Sequence, residues 1–154
     1  KLPIQPASFE GVLGLDIFEH IEDDGAALAE AYRVLKPGGV LVLSVPAFRS
    51  LWGPHDVALH HFRRYRRPEM ASKLRTAGFR VERCGYSVFI LFPVVVAKRM
   101  LEKLSTGPPR ASLPQFPSWV NRSLIGLQGL ESELVSRTNL PWGSSVVAVA
   151  RKPR

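Results

Sequence analysis

Apolar runs alternate with segments of helical periodicity along this chain. Phe9–Leu15 is a short, mostly apolar run that predicts a buried strand, and it ends at the acidic Asp16. Asp23 and Asp24 then open a predicted helix, because carboxylates stabilise the positive end of a helix dipole. The apolar positions of this helix recur at helical spacing and form a predicted buried stripe: Ala27, Leu28, Ala31, Val34 and Leu35.

The run Lys36-Pro37-Gly38-Gly39 is predicted to stop this helix, since Pro cannot continue it and Gly accepts a left-handed cap. Val40–Val45 follows and is apolar almost without a break. Such a segment is typical of a strand that helices cover on both faces.

A second helix is predicted from Pro68, with Met70, Leu74 and Ala77 facing inward and Gly78 as its cap. The alternation that follows predicts a strand from Phe79 to Tyr86. The remaining pattern predicts a helix after Pro93, an irregular Pro-rich connection over Ser105–Ser118, an amphipathic helix over Trp119–Arg137 and a last strand over Ser144–Ala150.

This order of strands and helices predicts an α/β fold with a partial, Rossmann-like doubly wound sheet of largely parallel type. Ligands bind outside the carboxyl ends of the strands in open sheets of this kind. Polar residues that can carry chemistry follow two of the predicted strands: Asp16, Glu19 and His20 after the first, and His55, Asp56, His60, His61 and Tyr65 after the second.

Composition narrows the class of protein. With 154 residues, of which 45% are hydrophobic and 22% charged, the chain suits one globular domain, and a disordered tail is excluded. A single cysteine cannot form an internal disulfide, which favours a reducing, cytoplasmic compartment. No apolar run reaches the roughly 20 residues that span a bilayer. Because the chain begins at Lys1 rather than Met, we expect it to be a piece of a longer protein.

The charge is divided unevenly along the chain. Residues 1–32 hold one basic residue against seven acidic ones, whereas the whole chain carries a formal net charge of +8. Residues 49–83 contain nine arginines and lysines against three acidic residues. This division predicts an acidic face and a basic face, which bears on the partners of the protein more than on its fold.

The motifs in residues 9–48 resemble the region of the fourth and fifth strands in class I S-adenosylmethionine-dependent methyltransferases, particularly the type 11 group. In that family an acidic strand end, a Glu-His pair, a helix and a Leu-Lys-Pro-Gly-Gly turn occur in this order, as in LDIFEH and VLKPGG here. Residues 52–79 are similar to the segment leading to the sixth strand, and residues 144–152 are more weakly similar to the closing strand.

This resemblance implies that the chain consists of three parts. Residues 1–86 are the C-terminal half of a methyltransferase core, residues 87–143 are a helical and Pro-rich segment that covers the substrate, and residues 144–154 are a closing strand with a tail. The Gly-rich turn by which the family mainly binds its cofactor is absent from the sequence. We therefore expect the upstream half of the same domain as a partner, and an isolated chain that is truncated and inactive.

The activity implied by the resemblance is transfer of a methyl group from S-adenosylmethionine to a small-molecule or lipid-like acceptor. Leu15, Asp16 and Ile17 are implied to bind the methionine part of this cofactor. A structural alternative for Asp16 is that its carboxylate satisfies the backbone N–H groups of the next turn.

Methyl transfer is an in-line displacement, and a hydroxyl acceptor also has to lose a proton. Histidine titrates near neutrality, so His55 and His60 are the candidate catalytic bases. His55 and Asp56 do not form a dyad, because adjacent side chains on an extended chain point apart. The candidate substrate-binding residues are His20, Tyr65 and Arg66.

Asp16, Glu19 and His20 share one face of a helical turn, which also raises the possibility of a metal site. Some metal-dependent O-methyltransferases use a similar ExxEH arrangement with a later histidine, and His60 or His61 would supply it here. We assign no metal, because the simpler interpretation is that His20 caps or packs the turn and that Glu19 faces solvent.

The run Arg63-Arg64-Tyr65-Arg66-Arg67 indicates a rival class of function. Four guanidinium groups around an aromatic ring can bind phosphates and stack a base, as in nucleic-acid binding proteins. The alternatives are an anionic group on a small substrate, which we prefer, and pairing with the acidic N-terminal face.

Two further alternatives stay open at this stage. Val88–Ala97 is apolar and is followed by Lys98, Arg99 and Lys103, which allows peripheral contact with a membrane surface. A buried helix that roofs the substrate pocket explains the same pattern. Another Rossmann-like enzyme, such as a nicotinamide oxidoreductase, is the last alternative.

Overall fold

A four-stranded sheet forms the centre of the protein in a computed structural model, which describes residues 2–104 and 117–154. The elements in chain order are β1 (Phe9–Leu15), α1 (Asp24–Val34), β2 (Leu35–Pro46), α2 (Pro54–Ala58), α3 (Arg67–Thr76), β3 (Arg80–Ser87), α4 (Phe92–Leu104), α5 (Ser118–Arg137) and β4 (Ser145–Arg151). Short 3-10 turns over Phe18–His20 and Arg49–Leu51 follow β1 and β2. The predicted α/β class and the order of its elements are confirmed.

The strands lie in the order β1-β2-β4-β3. β1 pairs with β2 in parallel, whereas β4 is antiparallel to both β2 and β3. The expectation of a largely parallel sheet is therefore wrong for two of the three strand pairings, although β1, β2 and β3 all run in the same direction. Leu15 lies opposite Ser44, so the carboxyl ends of β1 and β2 are neighbours.

One face of the sheet carries the main hydrophobic core. Leu41, Leu43 and Val45 of β2 are completely buried and lie opposite three small or branched residues of β4: Ala150, Ala148 and Val146. The core also contains Leu28 and Ala31 of α1 and Met70 and Leu74 of α3. The alternate residues of β2 are only partly buried, so the prediction that this strand is fully covered on both faces is wrong.

β1 lies at the edge of the sheet and is largely exposed. Leu13 is 72% exposed and Leu15 is 56% exposed, whereas Gly14 is the buried residue of this strand. The strand boundaries Phe9–Leu15 are as predicted, but the prediction that the strand is buried is wrong. Leu13 and Leu15 lie on the exposed face of this strand, whereas Val12 packs against the core.

α1 ends differently from the sequence-based expectation. The helix begins as predicted, with the Asp23 side chain accepting the N–H of Ala26 at 2.8 Å, but it ends at Val34, before the glycines. Gly38 has a φ of +82° and its N–H donates to the carbonyl of Lys152, so this glycine bends the first part of β2 rather than capping the helix. The ammonium group of Lys152 instead donates to the carbonyls of Tyr32 and Leu35, both at 2.8 Å, which satisfies the C-terminal end of α1.

The later helices agree with the sequence-based expectation. α3 buries Met70 and Leu74, Ala77 is half-buried, and Gly78 follows the helix with a φ of +95°. α4 and α5 are both present, whereas residues 105–116 of the predicted Pro-rich connection lie outside the described residues. Within the described ranges, no helix combines the length and the apolar character needed to cross a bilayer.

Substitution of two glycines tests whether Gly78 has the left-handed backbone conformation described above. Gly78→Ala should lower the free energy of unfolding by about 1–2 kcal/mol, because an L-residue is strained at this positive φ. The new Cβ would also lie 3.1 Å from the ring of Tyr32. Gly126→Ala in α5 is the control, since its Cβ meets nothing within 4 Å.

The control should raise the free energy of unfolding by about 0.5–1 kcal/mol, as expected when Ala replaces Gly inside a helix. Urea denaturation followed by circular dichroism measures both values. Changes of the same sign in the two variants would contradict the assignment of Gly78 to a left-handed helix end.

Candidate active site

The chain that follows β2 folds back over the carboxyl ends of β1 and β2. Tyr65 forms a parallel bridge with Ala47, and the backbone N–H of Tyr65 donates to the carbonyl of Pro46 at 2.9 Å. The N–H of Phe62 donates to the carbonyl of Glu19 at 2.7 Å. The polar residues that follow the two strands are thereby brought to one edge of the sheet, where open α/β sheets bind ligands.

Asp56 holds this region together from inside. Its carboxylate is completely buried and accepts two hydrogen bonds from Arg64 in a bidentate arrangement, from Nε at 2.8 Å and from Nη2 at 3.1 Å. The backbone N–H of Gly53 and the Nδ1 atom of His61 lie within hydrogen-bonding distance of the same carboxylate, at 2.9 Å and 3.0 Å. Burial by itself raises the pKa of Asp56, but the contacts with Arg64 outweigh it and hold this pKa below the usual range. The carboxylate is therefore charged.

His61 has the environment of a general base. Because its Nδ1 faces a charged carboxylate, Nδ1 carries the proton and the other ring nitrogen is left as an acceptor. Burial lowers the pKa of His61, against the opposing effect of Asp56. Since Arg64 already compensates the charge of Asp56, His61 is neutral near pH 7 and can accept a proton.

Glu19 lies beside His61 and is buried, which corrects the expectation that it faces solvent. Only 1% of this residue is exposed, and its Oε2 atom has no hydrogen-bond partner. Burial raises the pKa of Glu19 to about 7. The ring of His20 meets the ring of His61 edge-on, with 4.6 Å between their centroids.

Glu19, His20 and His61 could together hold a metal ion. One ligand atom from each of them lies within 4.8 Å of the others, and the unpartnered Oε2 of Glu19 is a donor of the right type. One carboxylate with two imidazoles suits a transition metal better than Mg²⁺. Asp16, which belonged to the predicted metal pattern, is not part of this group, and His61 rather than His60 is the later histidine.

Leu15, Asp16 and Ile17 lie at the carboxyl end of β1. Leu15 and Ile17 are each more than half exposed, and Asp16 has a φ of +50°, which turns the chain sharply there. The carboxylate of Asp16 accepts the hydroxyl of Ser44 at 3.0 Å, so it is held by the neighbouring strand and not by the following turn. An exposed carboxylate between two exposed apolar side chains fits the predicted role of this turn in binding the methionine part of a cofactor, which stays a prediction.

Neither His55 nor His60 has a described hydrogen bond to this cluster. His55 is half-buried, and its pKa is lowered by burial and by the nearby cation of Arg99 in α4. His60 is exposed, with a φ of +55°. Neither side chain contacts the Asp56 carboxylate, so the residue best placed as a base is the neighbouring His61.

Tyr65, predicted to bind substrate, lies instead in the core. It is completely buried, and its hydroxyl is 2.9 Å from Asp24 and 3.2 Å from the carbonyl of Phe18. Burial and the carboxylate of Asp24 both raise the pKa of Tyr65. A buried ring with an occupied hydroxyl stabilises the fold rather than contacting a ligand.

The arginines around Tyr65 have different environments. Arg63 contacts the carboxylate of Asp24 at 3.3 Å and the carbonyl of Glu22, which confirms the pairing with the acidic N-terminal segment for this residue. Arg64 is bound to Asp56. Arg66 precedes α3 and is exposed, so it remains available for the predicted substrate contact.

Sequence reasoning therefore missed the pair formed by Asp56 and His61. The two residues are five positions apart, and the single short helix α2 with its following turn brings them together. No periodicity encodes this contact. The only sequence signal was the richness of the segment in histidine and acidic residues.

Replacement of Glu19 tests its burial through the pH dependence of stability. Because the pKa in the folded protein, about 7, lies above the value in the unfolded chain, the unfolded chain loses its proton first. Ionisation of Glu19 therefore destabilises the fold as the pH rises from about 4.5 to about 7. Glu19→Gln removes this effect, and the stability of the variant relative to the parent should increase over that range.

Urea denaturation of both proteins at pH 5 and at pH 8 measures the difference. Glu22→Gln, at an exposed position in the same segment, is the control and should show no such gain. A difference between Glu19→Gln and the parent that does not change with pH would show that Glu19 is solvated.

Comparison with known proteins shows which proteins the chain is similar to. Residues 1–43 match the family model described as a methyltransferase domain. Over 84 residues the chain is 36% identical to a probable S-adenosylmethionine-dependent methyltransferase of Mycolicibacterium smegmatis, covering 53% of this chain and 33% of that protein. Over 91 residues it is 35% identical to the ubiquinone biosynthesis O-methyltransferase of Xanthomonas euvesicatoria, covering 51% of this chain and 38% of that protein.

Solved structures with a similar fold also include methyltransferases. An S-adenosylmethionine-dependent methyltransferase from Mesorhizobium loti superimposes with a TM-score of 0.54 at 16% identity, over 98% of this chain and 65% of that structure. The chain spans between a third and about half of the length of the curated relatives it matches. It is thus a homologue of the S-adenosylmethionine-dependent methyltransferases and carries part of the class I methyltransferase fold.

Proposed function

We propose that this chain takes part in methyl transfer from S-adenosylmethionine to a hydroxyl group, with His61 as the general base. The observation that carries the proposal is the pair formed by Asp56 and His61, which lies beside Glu19 at the carboxyl ends of β1 and β2. A neutral imidazole oriented by a buried carboxylate is the usual arrangement for removing a proton from a hydroxyl group.

Bound S-adenosylmethionine would supply a methyl group already activated by its sulfonium centre. On this chain, Leu15 and Ile17 would pack against the methionine part and Asp16 would face its charged groups. Ser44 holds the Asp16 carboxylate at 3.0 Å and so limits the orientations it can adopt.

The remaining residues of the cluster prepare His61 for proton transfer. Asp56 fixes the tautomer and stabilises the imidazolium that forms once the proton of the acceptor has moved to the free ring nitrogen. Arg64 keeps Asp56 ionised. With a pKa of about 7, Glu19 is partly protonated at neutral pH, so it adds less than a full negative charge beside the acceptor hydroxyl. A positioned base of this type contributes typically about 10²–10⁴-fold to the rate.

Two observations support a hydroxyl acceptor with an apolar part. One relative carries the name O-methyltransferase, which describes that protein. In this chain, a cleft of about 350 Å³ between the end of β2 and α4 is lined by apolar side chains, among them Phe48, Phe92 and Trp142. This cleft suits the role proposed for residues 87–143 as a cover over the acceptor.

Cofactor binding can be tested without knowing the acceptor. S-Adenosylhomocysteine titrated into the ¹⁵N-labelled chain should shift the amide signals of Asp16, Ile17 and Ser44. Asp16→Asn tolerates the same positive φ and removes the charge, and it should weaken binding about tenfold, because a hydrogen bond to a charged group is worth about 1.5–3 kcal/mol. Asp23→Asn at the start of α1 is the matched control and should leave binding unchanged. Shifts that avoid β1 altogether at millimolar ligand would contradict the proposed site.

Catalysis is tested in a longer version of the protein that includes the expected upstream half of the domain, with 3,4-dihydroxybenzoate as the acceptor and S-adenosylmethionine labelled on its methyl group. His61→Gln should lower kcat at least 10²-fold, because the acceptor proton then has no base. His60→Asn, which suits the left-handed backbone there, and His55→Ala should each retain kcat within a few-fold.

If His55→Ala or His60→Asn loses activity and His61→Gln does not, the histidine replaced in the inactive variant is the base.

The same assay distinguishes the metal alternative. If EDTA abolishes turnover and Mn²⁺ or Zn²⁺ restores it, then Glu19, His20 and His61 are metal ligands, and His61 is not the base.

A further inference from the structure

A basic cleft lies next to the proposed catalytic cluster. It has a volume of about 680 Å³ and is lined by Arg49, Trp52, Phe62, Arg63, Arg64, Arg66 and Glu69. Pockets of this size accept small molecules. Phe62 connects the cleft to the cluster directly, because its N–H donates to the carbonyl of Glu19.

The four arginines of the cleft are not equally available. Arg64 is neutralised by Asp56, and Arg63 shares the carboxylate of Asp24 with Lys73. Arg49 and Arg66 are exposed, and in the part of the chain that the structure describes no acidic group or carbonyl binds either guanidinium. These two cations therefore face the cleft without compensation.

Two further features show that the positive charge of the cleft is incompletely compensated. The Nε atom of Arg63 is buried and has no hydrogen-bond partner. Arg66 precedes the first turn of α3, where the helix dipole disfavours a cation. The acidic residue in the lining, Glu69, lies in hydrogen-bonding geometry with the backbone N–H of Arg66 at 3.4 Å, and one carboxylate does not balance two free guanidinium groups.

The aromatic residues determine the shape of a suitable ligand. Phe62 is about half exposed although it lies in a cleft, and Trp52 is partly exposed on the lining. A flat ring can pack against such side chains while its anionic substituent contacts the arginines.

We propose that this cleft binds the carboxylate or phosphate of a planar small molecule through Arg49 and Arg66. In so far as this molecule is the methyl acceptor, the inference rests on the proposed function, and the cleft then determines which acceptors are used. Its ring would extend from the cleft toward His61.

Binding is tested by isothermal titration calorimetry, independently of methyl transfer. The probes are 3,4-dihydroxybenzoate and phenyl phosphate, which distinguish a carboxylate from a phosphate, and catechol as the neutral counterpart. Both anions should bind measurably more tightly than catechol. Arg49→Ala and Arg66→Ala should each weaken binding of the better anion about tenfold, the effect expected when one charged hydrogen bond is lost.

Arg75→Ala is the matched control, because Arg75 is an exposed arginine of α3 that does not line the cleft. It changes the net charge equally and should alter the dissociation constant less than twofold. An equal loss in Arg75→Ala, or binding of catechol as tight as that of the anions, would overturn the proposal. Circular dichroism of each variant verifies that it is folded.

A single-stranded oligonucleotide of 20 residues is the final probe. If it binds more tightly than both small anions, with an affinity that falls steeply with salt, the cleft belongs to a nucleic-acid surface and the proposal is wrong. The outcome is separable from the proposed function: anion binding without methyl transfer keeps this site and rejects the catalytic role of His61. If methyl transfer occurs but neither Arg49→Ala nor Arg66→Ala changes the KM for 3,4-dihydroxybenzoate, the proposed function is kept and the anion site is rejected.

Discussion

The buried carboxylate of Asp56 organises the segment between β2 and α3. An ionised group in the protein interior is tolerated only when its charge and its hydrogen-bonding capacity are satisfied, and Arg64, His61 and Gly53 do this for Asp56. These contacts tie the segment from α2 to the start of α3 together. His61 and Arg64 lie where they do because this one charge has to be compensated.

Asp24 plays the corresponding role on the other side of Tyr65. It receives the hydroxyl of Tyr65, the ammonium group of Lys73 and a guanidinium nitrogen of Arg63. The start of α1, the loop and α3 are thus joined through one carboxylate. Asp24 thus anchors Tyr65, and Asp56 anchors its neighbour Arg64, so the two buried acids hold the candidate site and the basic cleft in place.

Local patterns were sufficient to predict most of the elements. Apolar runs placed β1 and β4, and helical spacing placed α1 and α3, because burial of one face acts over a few neighbouring residues. The direction of β4 was not predictable in this way, since pairing with distant strands leaves no periodic trace. The exposure of β1 was missed for a related reason, because an apolar run does not reveal what covers it.

In the candidate site, too, local features were predictable and long-range contacts were not. The sequence indicated the strand ends where the polar residues gather, since polar residues directly after apolar runs are a local feature. The roles assigned to Arg66 and to the turn around Asp16 stay predictions. It did not distinguish His61 from His55 and His60, because the distinction depends on a bend that aims one ring at Asp56. Tyr65 was predicted to bind substrate because its hydroxyl partner, Asp24, is far away in sequence and leaves no local signal.

The position of β4 has a consequence for how the molecule is assembled. β4 lies between β2 and β3, although it follows both in the chain, and Ala150 faces Leu41 on one side and Val81 on the other. β2 and β3 therefore cannot belong to one sheet until the residues up to Arg151 have been synthesised. The hydrophobic edges of both strands stay open during that interval, which makes folding dependent on long-range contacts and exposes the nascent chain to aggregation.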